Sequence, residues 1–313
     1  MTSRNPFLSP VTPSCPAGLL AQAKSAGPPP RVALVNAGHA TPLAGLREAT
    51  EAGLALPILI GDPAKIAAAA EVIGWDIRAF RVIDAAREQA TSAAAALAVR
   101  GEADSIMKGQ VHSSAFLKGL LPSAMGLRGK GDICAHLLHI TLPGEDRPLI
   151  LTDAALNSAP DVPTRQAALT HAVRLARTLG IARPKAGLLA ASEDVTPGIP
   201  STGEAAVIAA WAATALPEAI VQGPMALDLL LSAEAAAIKG FASQVSGDAD
   251  IIVVPEITTG NALFKLMSLG MAACAGGVVM GARVPLLLTS RSQGTADRLA
   301  SVALGAIVAR LPT

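Results

Sequence analysis

Val284-Pro285-Leu286-Leu287-Leu288-Thr289-Ser290-Arg291 is an apolar run that stops abruptly on a Ser-Arg pair. A short apolar run of this kind reads as a buried strand. The residues after it, Ser292 to about Arg310, have helix composition and place Leu299, Val302, Ala303 and Ala306 on one face. The stretch therefore spells strand, polar turn, helix, with Ser290 and Arg291 at or just before the helix N-terminus. In an open α/β sheet, ligands bind where strands end and helices begin. Helix amides, a guanidinium and a hydroxyl converge there on an anion.

The same texture runs back through the chain. Val32–Val35, Ile58–Ile60, Phe80–Ile83 and Ser105–Met107 read as strands, with helices near Pro42–Ala52, Pro63–Ile73 and Ala85–Arg100 between them. This succession calls for right-handed crossovers and a mainly parallel sheet. A loop dense in glycine and positive charge, Pro122 to Gly131, separates it from a second set of strands: His136–Thr141, Leu149–Leu151, Ala186–Ala190, Ala219–Val221, Ile251–Val254 and Gly277–Met280. Ile251–Val254 leads into Thr258-Thr259-Gly260-Asn261, and Lys265 lies four residues beyond Asn261, on one face if a helix starts there. The longest uncharged stretch, Leu266 to Ala282, contains Gly270, Gly276, Gly277 and Gly281. It reads as a helix followed by a buried strand, not as a membrane span of ~20 apolar residues.

Composition narrows the function. The chain has 313 residues, is 51% hydrophobic and has a mean hydropathy of +0.47, enough for two domains with their own cores. A net charge of +1 offers no broad basic field to a polynucleotide, and with two Trp, five Phe and no Tyr there are no platforms for stacked bases. Nucleic acid is therefore excluded as a partner. Cys15, Cys134 and Cys274 are widely spaced without a CxxC, and the first thirty residues do not read as a secretory signal. A cytoplasmic protein is expected. His136 and His139 have poor metal-ligand spacing on a strand, and no acidic cluster accompanies them, so no metal is expected. Ser105 and Lys108 spell Ser-x-x-Lys, but in a strand their side chains point to opposite faces, which rejects a penicillin-binding reading.

Five segments together resemble the phosphate acetyltransferase and phosphate butyryltransferase family: Met107-Lys108-Gly109-Gln110-Val111-His112-Ser113-Ser114, Leu151–Asn157, Gly247–Asp250, Gly260-Asn261-x-x-x-Lys265 and Leu288-Thr289-Ser290-Arg291. The resemblance runs from about Arg31 to the C-terminus and is closest to the butyryltransferase branch. It implies a two-domain α/β/α fold with mainly parallel sheets, like that of isocitrate and isopropylmalate dehydrogenases. One domain would comprise 1–133 plus 284–313, with 1–30 as an extension. An inserted domain would comprise 134–283, with the active site in the cleft between the two. The implied reaction is acyl-CoA plus phosphate giving acyl phosphate plus CoA, with an acetyl or butyryl group. Coenzyme A is a substrate and there is no cofactor, the partners are acyl-CoA, phosphate and acyl phosphate, no membrane is involved, and the chain forms a homodimer.

Site roles follow from the same resemblance. Ser290 bonds the reacting acyl or thiol group, Arg291 grips phosphate, and Asp297, seven residues after Ser290, handles the thiol proton. On the 292–310 helix Asp297 is expected to face cleft or solvent, away from Leu299, Ala303 and Ala306. Lys265, Asn261, Lys108, His112, Ser113 and Ser114 bind substrate, and Arg128 of the Gly-Leu-Arg loop meets the phosphates of coenzyme A. Lys265 is the only charged side chain between Glu256 and Arg283, and a lone cation in an apolar segment calls for an anion or a path to solvent. Asp153 and Asn157 hold turns through side-chain to backbone hydrogen bonds. Two departures stand out: Gln222-Gly223-Pro224 replaces the family's Asp-Gly-Pro, and Gln293 stands where butyryltransferases usually place Asp. They leave open a retuned or non-catalytic acyl-CoA-binding relative. A dehydrogenase of similar fold is the other alternative, although GxGxxG and an acidic metal cluster are lacking.

Overall fold

The computed structural model describes residues 5–290 and 293–311. The chain opens on α1 (Ala17–Ser25), a helix in the extension that the sequence reading left without structure. It then alternates β1 (Arg31–Val35), α2 (Ala40–Glu51), β2 (Leu56–Gly61), α3 (Pro63–Val72), β3 (Arg81–Asp84), α4 (Ala90–Val99), β4 (Ser105–Lys108) and α5 (Ser113–Leu120). All four strands pair in parallel, in the order β3-β2-β1-β4. β1 and β4 are buried along almost their whole length, as continuous apolar runs covered on both faces must be. Asp62 caps α3 by accepting from the Ala64 and Lys65 amides, and Pro63 takes the first helical position, where its missing N–H costs nothing. α4 starts at Ala90, five residues later than its composition suggests.

The next elements are β5 (Ala135–Thr141), β6 (Leu149–Thr152), α6 (Val162–Thr178), β7 (Lys185–Leu189), α7 (Pro200–Ala215), β8 (Ile220–Met225), α8 (Leu227–Leu231), α9 (Ala233–Ile238), β9 (Ile251–Val253) and α10 (Ile257–Gly270). Their strands run β5-β6-β9-β7-β8, parallel except for β5 against β6. The chain then forms β10 (Cys274–Met280), β11 (Leu286–Leu287) and α11 (Thr295–Val308). β11 pairs in parallel with β4 and antiparallel with β10, extending the first set to β3-β2-β1-β4-β11-β10.

Two compact units result. The first comprises Pro10–Asp132, Pro143–Asp146 and Ala272–Thr313, the second Met1–Ser9, Ile133–Leu142 and Arg147–Met271. The sequence reading placed the return to the first domain at 284, whereas the compact unit takes the chain back at Ala272. The reason is packing: β10 pairs with β11 and lies directly under α11, where a Cβ on Gly276 would come within 2.9 Å of the Ala300 backbone. Among the described residues, no helix is long and apolar enough to cross a membrane.

Candidate functional site

In the first unit, parallel pairing aligns Leu286 with Ile106 and Leu287 with Met107, so β4 and β11 end at the same edge of the sheet. The segments leaving that edge are Lys108–Ser114 and Thr289–Gly294. Lys108 is only 2% exposed, and its ammonium donates to the Val111 carbonyl at 3.3 Å. Gly109 follows because a Cβ there would collide with the carbonyls of Val35 and Asn36. Ser113 and Ser114 open α5, and His112 takes the N-cap position, exposed and without a side-chain cap bond. These four sequence-predicted residues share one strand end.

α11 begins at Thr295, three residues later than the sequence predicts, and side-chain chemistry in the turn explains the delay. The Ser290 amide donates to Gln293 Oε1, and Gln293 Nε2 donates to the Ala275 carbonyl at 2.8 Å. Gln293 thus ties the turn to the start of β10. The Gly294 amide, at the N-cap, donates to Asp297 Oδ2 at 3.1 Å, and the Ala275 amide to Oδ1 at 2.7 Å. Asp297 is therefore buried against backbone donors, 5% exposed, which leaves out the solvent-facing half of the expectation that it faces cleft or solvent. Burial raises its pKa, while the Ala275 and Gly294 amides work in the opposite direction. Arg291 and Ser292 lie outside the described residues.

The departure at 293 has a physical explanation here. A carboxamide offers both a donor and an acceptor, and the turn uses both; an aspartate in its place could only accept.

Sequence reasoning missed Arg298. It is 3% exposed and reaches back under the turn, donating to Thr289 Oγ1 at 2.8 Å, to the Gln293 carbonyl at 3.1 Å and to the Ser290 carbonyl at 3.5 Å. Gly45 on α2 makes room for it, since a Cβ there would come within 2.8 Å of its stem. Burial lowers its pKa and Asp297 offsets that in part. In the sequence Arg298 shows only as half of an Asp297-Arg298 pair near a helix start.

Arg128 is turned onto its own loop: Nε donates to the Leu121 carbonyl and Nη1 to the Asp132 carbonyl at 3.0 Å. It shapes the glycine-rich loop that was expected to meet coenzyme A phosphates.

In the second unit, α10 starts before Asn261, capped by Glu256, which accepts from the Thr258 and Thr259 amides and the Thr259 hydroxyl. These bonds hold the Glu256 carboxyl at about 2. Asn261 Nδ2 donates to the Ala154 carbonyl at 3.3 Å, and Lys265 is exposed one turn further on. Asp153 accepts from the Ala155 and Leu156 amides through Oδ1, and from the His136 amide and Asn157 Nδ2 through Oδ2. It is a turn anchor, as its residue type and position suggested. Gln222 lies within β8, half-buried and paired with Gly187.

Two buried cations, Lys108 and Arg298, thus stand by the polar segments that leave the shared ends of β4 and β11, the kind of place where open α/β sheets bind ligands. The family model described as phosphate acetyl/butaryl transferase matches residues 84–306, and the chain belongs to that family. It is 36% identical over 302 residues to a phosphate acetyltransferase of Rhizobium meliloti, covering 96% of this chain and 95% of that protein. To a phosphate butyryltransferase of Clostridium acetobutylicum it is 34% identical over 281 residues, 89% of this chain and 93% of that one. The crystal structure of a branched-chain phosphotransacylase from Enterococcus faecalis V583 matches with a TM-score of 0.76 and 29% identity, over 89% of this chain and 98% of that one.

Proposed function

We propose that the protein transfers a short acyl group, acetyl or butyryl, reversibly between coenzyme A and inorganic phosphate. The observation that carries this reading is the shared edge of β4 and β11, which sets buried Lys108 and the braced Ser290 turn side by side in one sheet. In the forward direction a phosphate oxygen attacks the thioester carbonyl, a tetrahedral oxyanion forms, and the carbon–sulfur bond breaks to give acyl phosphate and a thiolate, which takes up a proton. Ser290 donates to the oxyanion and Arg291 holds phosphate. Lys108 brings positive charge to an edge where the substrates are negative, while the hydroxyls of Ser113 and Ser114 at the start of α5 suit the phosphoryl oxygens. No electrons are transferred, so coenzyme A enters as a substrate and not as a cofactor.

For Asp297 the reading departs from the proton-handling role that the resemblance implies. Both carboxylate oxygens are taken by backbone amides, which supports holding the turn over shuttling the thiol proton.

The reading includes a cytoplasmic homodimer. Exposed Phe7, Leu266, Leu269 and Met271 support the dimer, since a contiguous apolar patch favours a second copy; the Ser9 amide bonds the Leu269 carbonyl and so keeps the first of these beside α10. Light scattering at micromolar concentration tests it, and a monomer mass refutes it. The activity is tested by release of free thiol from acetyl-, propionyl- and butyryl-CoA. Release that requires phosphate or arsenate supports acyl transfer; equal release without either oxyanion, or coenzyme A binding with no turnover, refutes it.

A further inference from the structure

The three cysteines lie far apart in the sequence, and the fold brings two of them together. Cys15 stands just before α1 and Cys274 opens β10, and both belong to the first unit. α11 packs against α1 and β10 alike, which draws the two elements to one place. There the Cys274 thiol hydrogen bonds to the Cys15 thiol. Cys134 is buried in the second unit.

The paired thiols differ in access and in protonation. Cys15 is partly exposed, whereas Cys274 is 2% exposed. The bond to Cys15, burial and the nearby Asp297 carboxylate push the Cys274 thiol up, so it holds its proton. A solute in water therefore meets Cys15 first, and reaches Cys274 only through it.

Cys274 also adjoins the backbone that anchors the Ser290 turn. The Ala275 amide donates to Asp297 Oδ1 at 2.7 Å, and the Ala275 carbonyl accepts from Gln293 Nε2 at 2.8 Å. Gln293 Oε1 in turn accepts from the Ser290 amide. A sulfur–sulfur bond, about 2.05 Å, is well inside the separation of two hydrogen-bonded thiols. Closing one draws Cys274 toward Cys15, and the displacement passes to Ala275 and from there to the turn.

We propose that Cys15 and Cys274 form a reversible disulfide by exchange with a low-molecular-weight disulfide, and that its closure slows turnover at the Ser290 turn. The effect on turnover rests on the acyl-transfer reading; the disulfide does not. In the first step the Cys15 thiolate attacks one sulfur of the small disulfide, whose sulfur–sulfur bond breaks, and a small thiolate leaves and takes a proton from solvent. Cys15 is then a mixed disulfide, which removes the largest cause of the raised Cys274 value. Cys274 releases its proton to solvent and attacks Cys15 Sγ, and the second small thiolate leaves and is protonated. Two protein thiols have become one disulfide, and the two electrons they give up have reduced the small disulfide to two thiols. Excess small thiol reverses both steps, and in reducing compartments disulfides are characteristically of this transient, regulatory kind.

The test uses the full chain, incubated with oxidised glutathione and then freed of it, beside a sample returned to the reduced state with dithiothreitol. Peptide mapping by mass spectrometry should find Cys15 joined to Cys274 in a chain that runs as a monomer on a non-reducing gel. Unfolded, the oxidised chain should titrate with one thiol in place of three. Its kcat, read from the initial loss of thioester absorbance, should be lower by about tenfold or more, since small misplacements at a reacting centre carry losses of that order, and dithiothreitol should restore it. Cys15→Ser, a change at a partly exposed position outside the turn, should keep the kcat of the reduced wild type in both samples. Three titrating thiols, a glutathione adduct without the Cys15–Cys274 link, or a link between two chains overturns the proposal. A link that leaves kcat unchanged, or an equal loss of kcat in oxidised Cys15→Ser, overturns the effect on the turn. A link that forms in a protein whose reduced form consumes no thioester with phosphate refutes acyl transfer and leaves the redox pair standing.

Discussion

Replacing Arg298 by Met should cripple turnover at a residue that never touches substrate. Its guanidinium is the floor of the Ser290 turn: Thr289 Oγ1 at 2.8 Å and the Gln293 carbonyl at 3.1 Å accept its two short hydrogen bonds, and the Ser290 carbonyl lies at the outer limit, 3.5 Å. Hydrogen bonds from a charged donor contribute ~1.5–3 kcal/mol each, so the two short ones supply ~3–6 kcal/mol of constraint. Gln293 still holds the Ser290 amide in the variant, and the turn is loosened but not lost. If only the lower ~3 kcal/mol is lost from transition-state placement, kcat falls about 10²-fold. Burial already penalises the guanidinium, and Met has similar length, so the exchange recovers part of the desolvation cost and should leave a folded protein. The assay is steady-state acyl transfer with kcat and both KM values, plus a thermal melt. A loss concentrated in kcat, partly recovered in Arg298→Lys with its single donor group, is the expected result. A kcat within threefold of wild type at an unchanged melting temperature refutes the bracing argument.

Three further outcomes follow from individual residues. Ser290→Ala should cost ~10²–10³ in turnover if its hydroxyl donates to the oxyanion, and a loss below threefold in steady-state assays reduces it to a turn residue. Asp297→Asn should lower turnover in both directions and also the melting temperature, because an amide hydrogen replaces one of two buried acceptors; a loss of ~10² or more in turnover with an unchanged melt would instead make Asp297 the proton carrier. His139, buried on β5 with its pKa pushed down to about 4, stays neutral in the fold but protonates at its ordinary value when unfolded. Its contribution is therefore complete above about pH 6.5 and lost as pH falls toward 4, by ~1.4 kcal/mol per pH unit. Chemical denaturation across that window should show a shallower slope in His139→Gln, and an identical slope contradicts the assignment.

Much of the fold was legible because its strands are short apolar runs buried on both faces. Val32–Val35 and Ser105–Met107 match β1 and β4 to within one residue. Helix starts were less legible. α11 opens at Thr295 because Gln293 and Asp297 claim the amides that would have begun it earlier, and α10 opens at Ile257 because Glu256 caps it five residues before the Asn261 that drew attention. At the candidate site, Lys108 and Ser290 could be read from their strand ends, and pairing of β4 with β11 brought them together. Arg298 could not, since an Asp-Arg pair near a helix start reads as a solvated surface until the turn above it is built. A cavity at the ends of β1 to β4 was equally hidden, because its lining comes from four strand ends spread between Asn36 and Gln110, which only the sheet order assembles.

The most direct test of acyl transfer is to follow both products in one sample by phosphorus NMR and thiol titration, with butyryl-CoA or acetyl-CoA and inorganic phosphate. Acyl phosphate appearing in equal amount with free thiol, and both disappearing when acyl phosphate and coenzyme A are supplied instead, is the predicted result. Thiol without acyl phosphate would make the protein a thioester hydrolase, and neither product from either thioester would contradict the account.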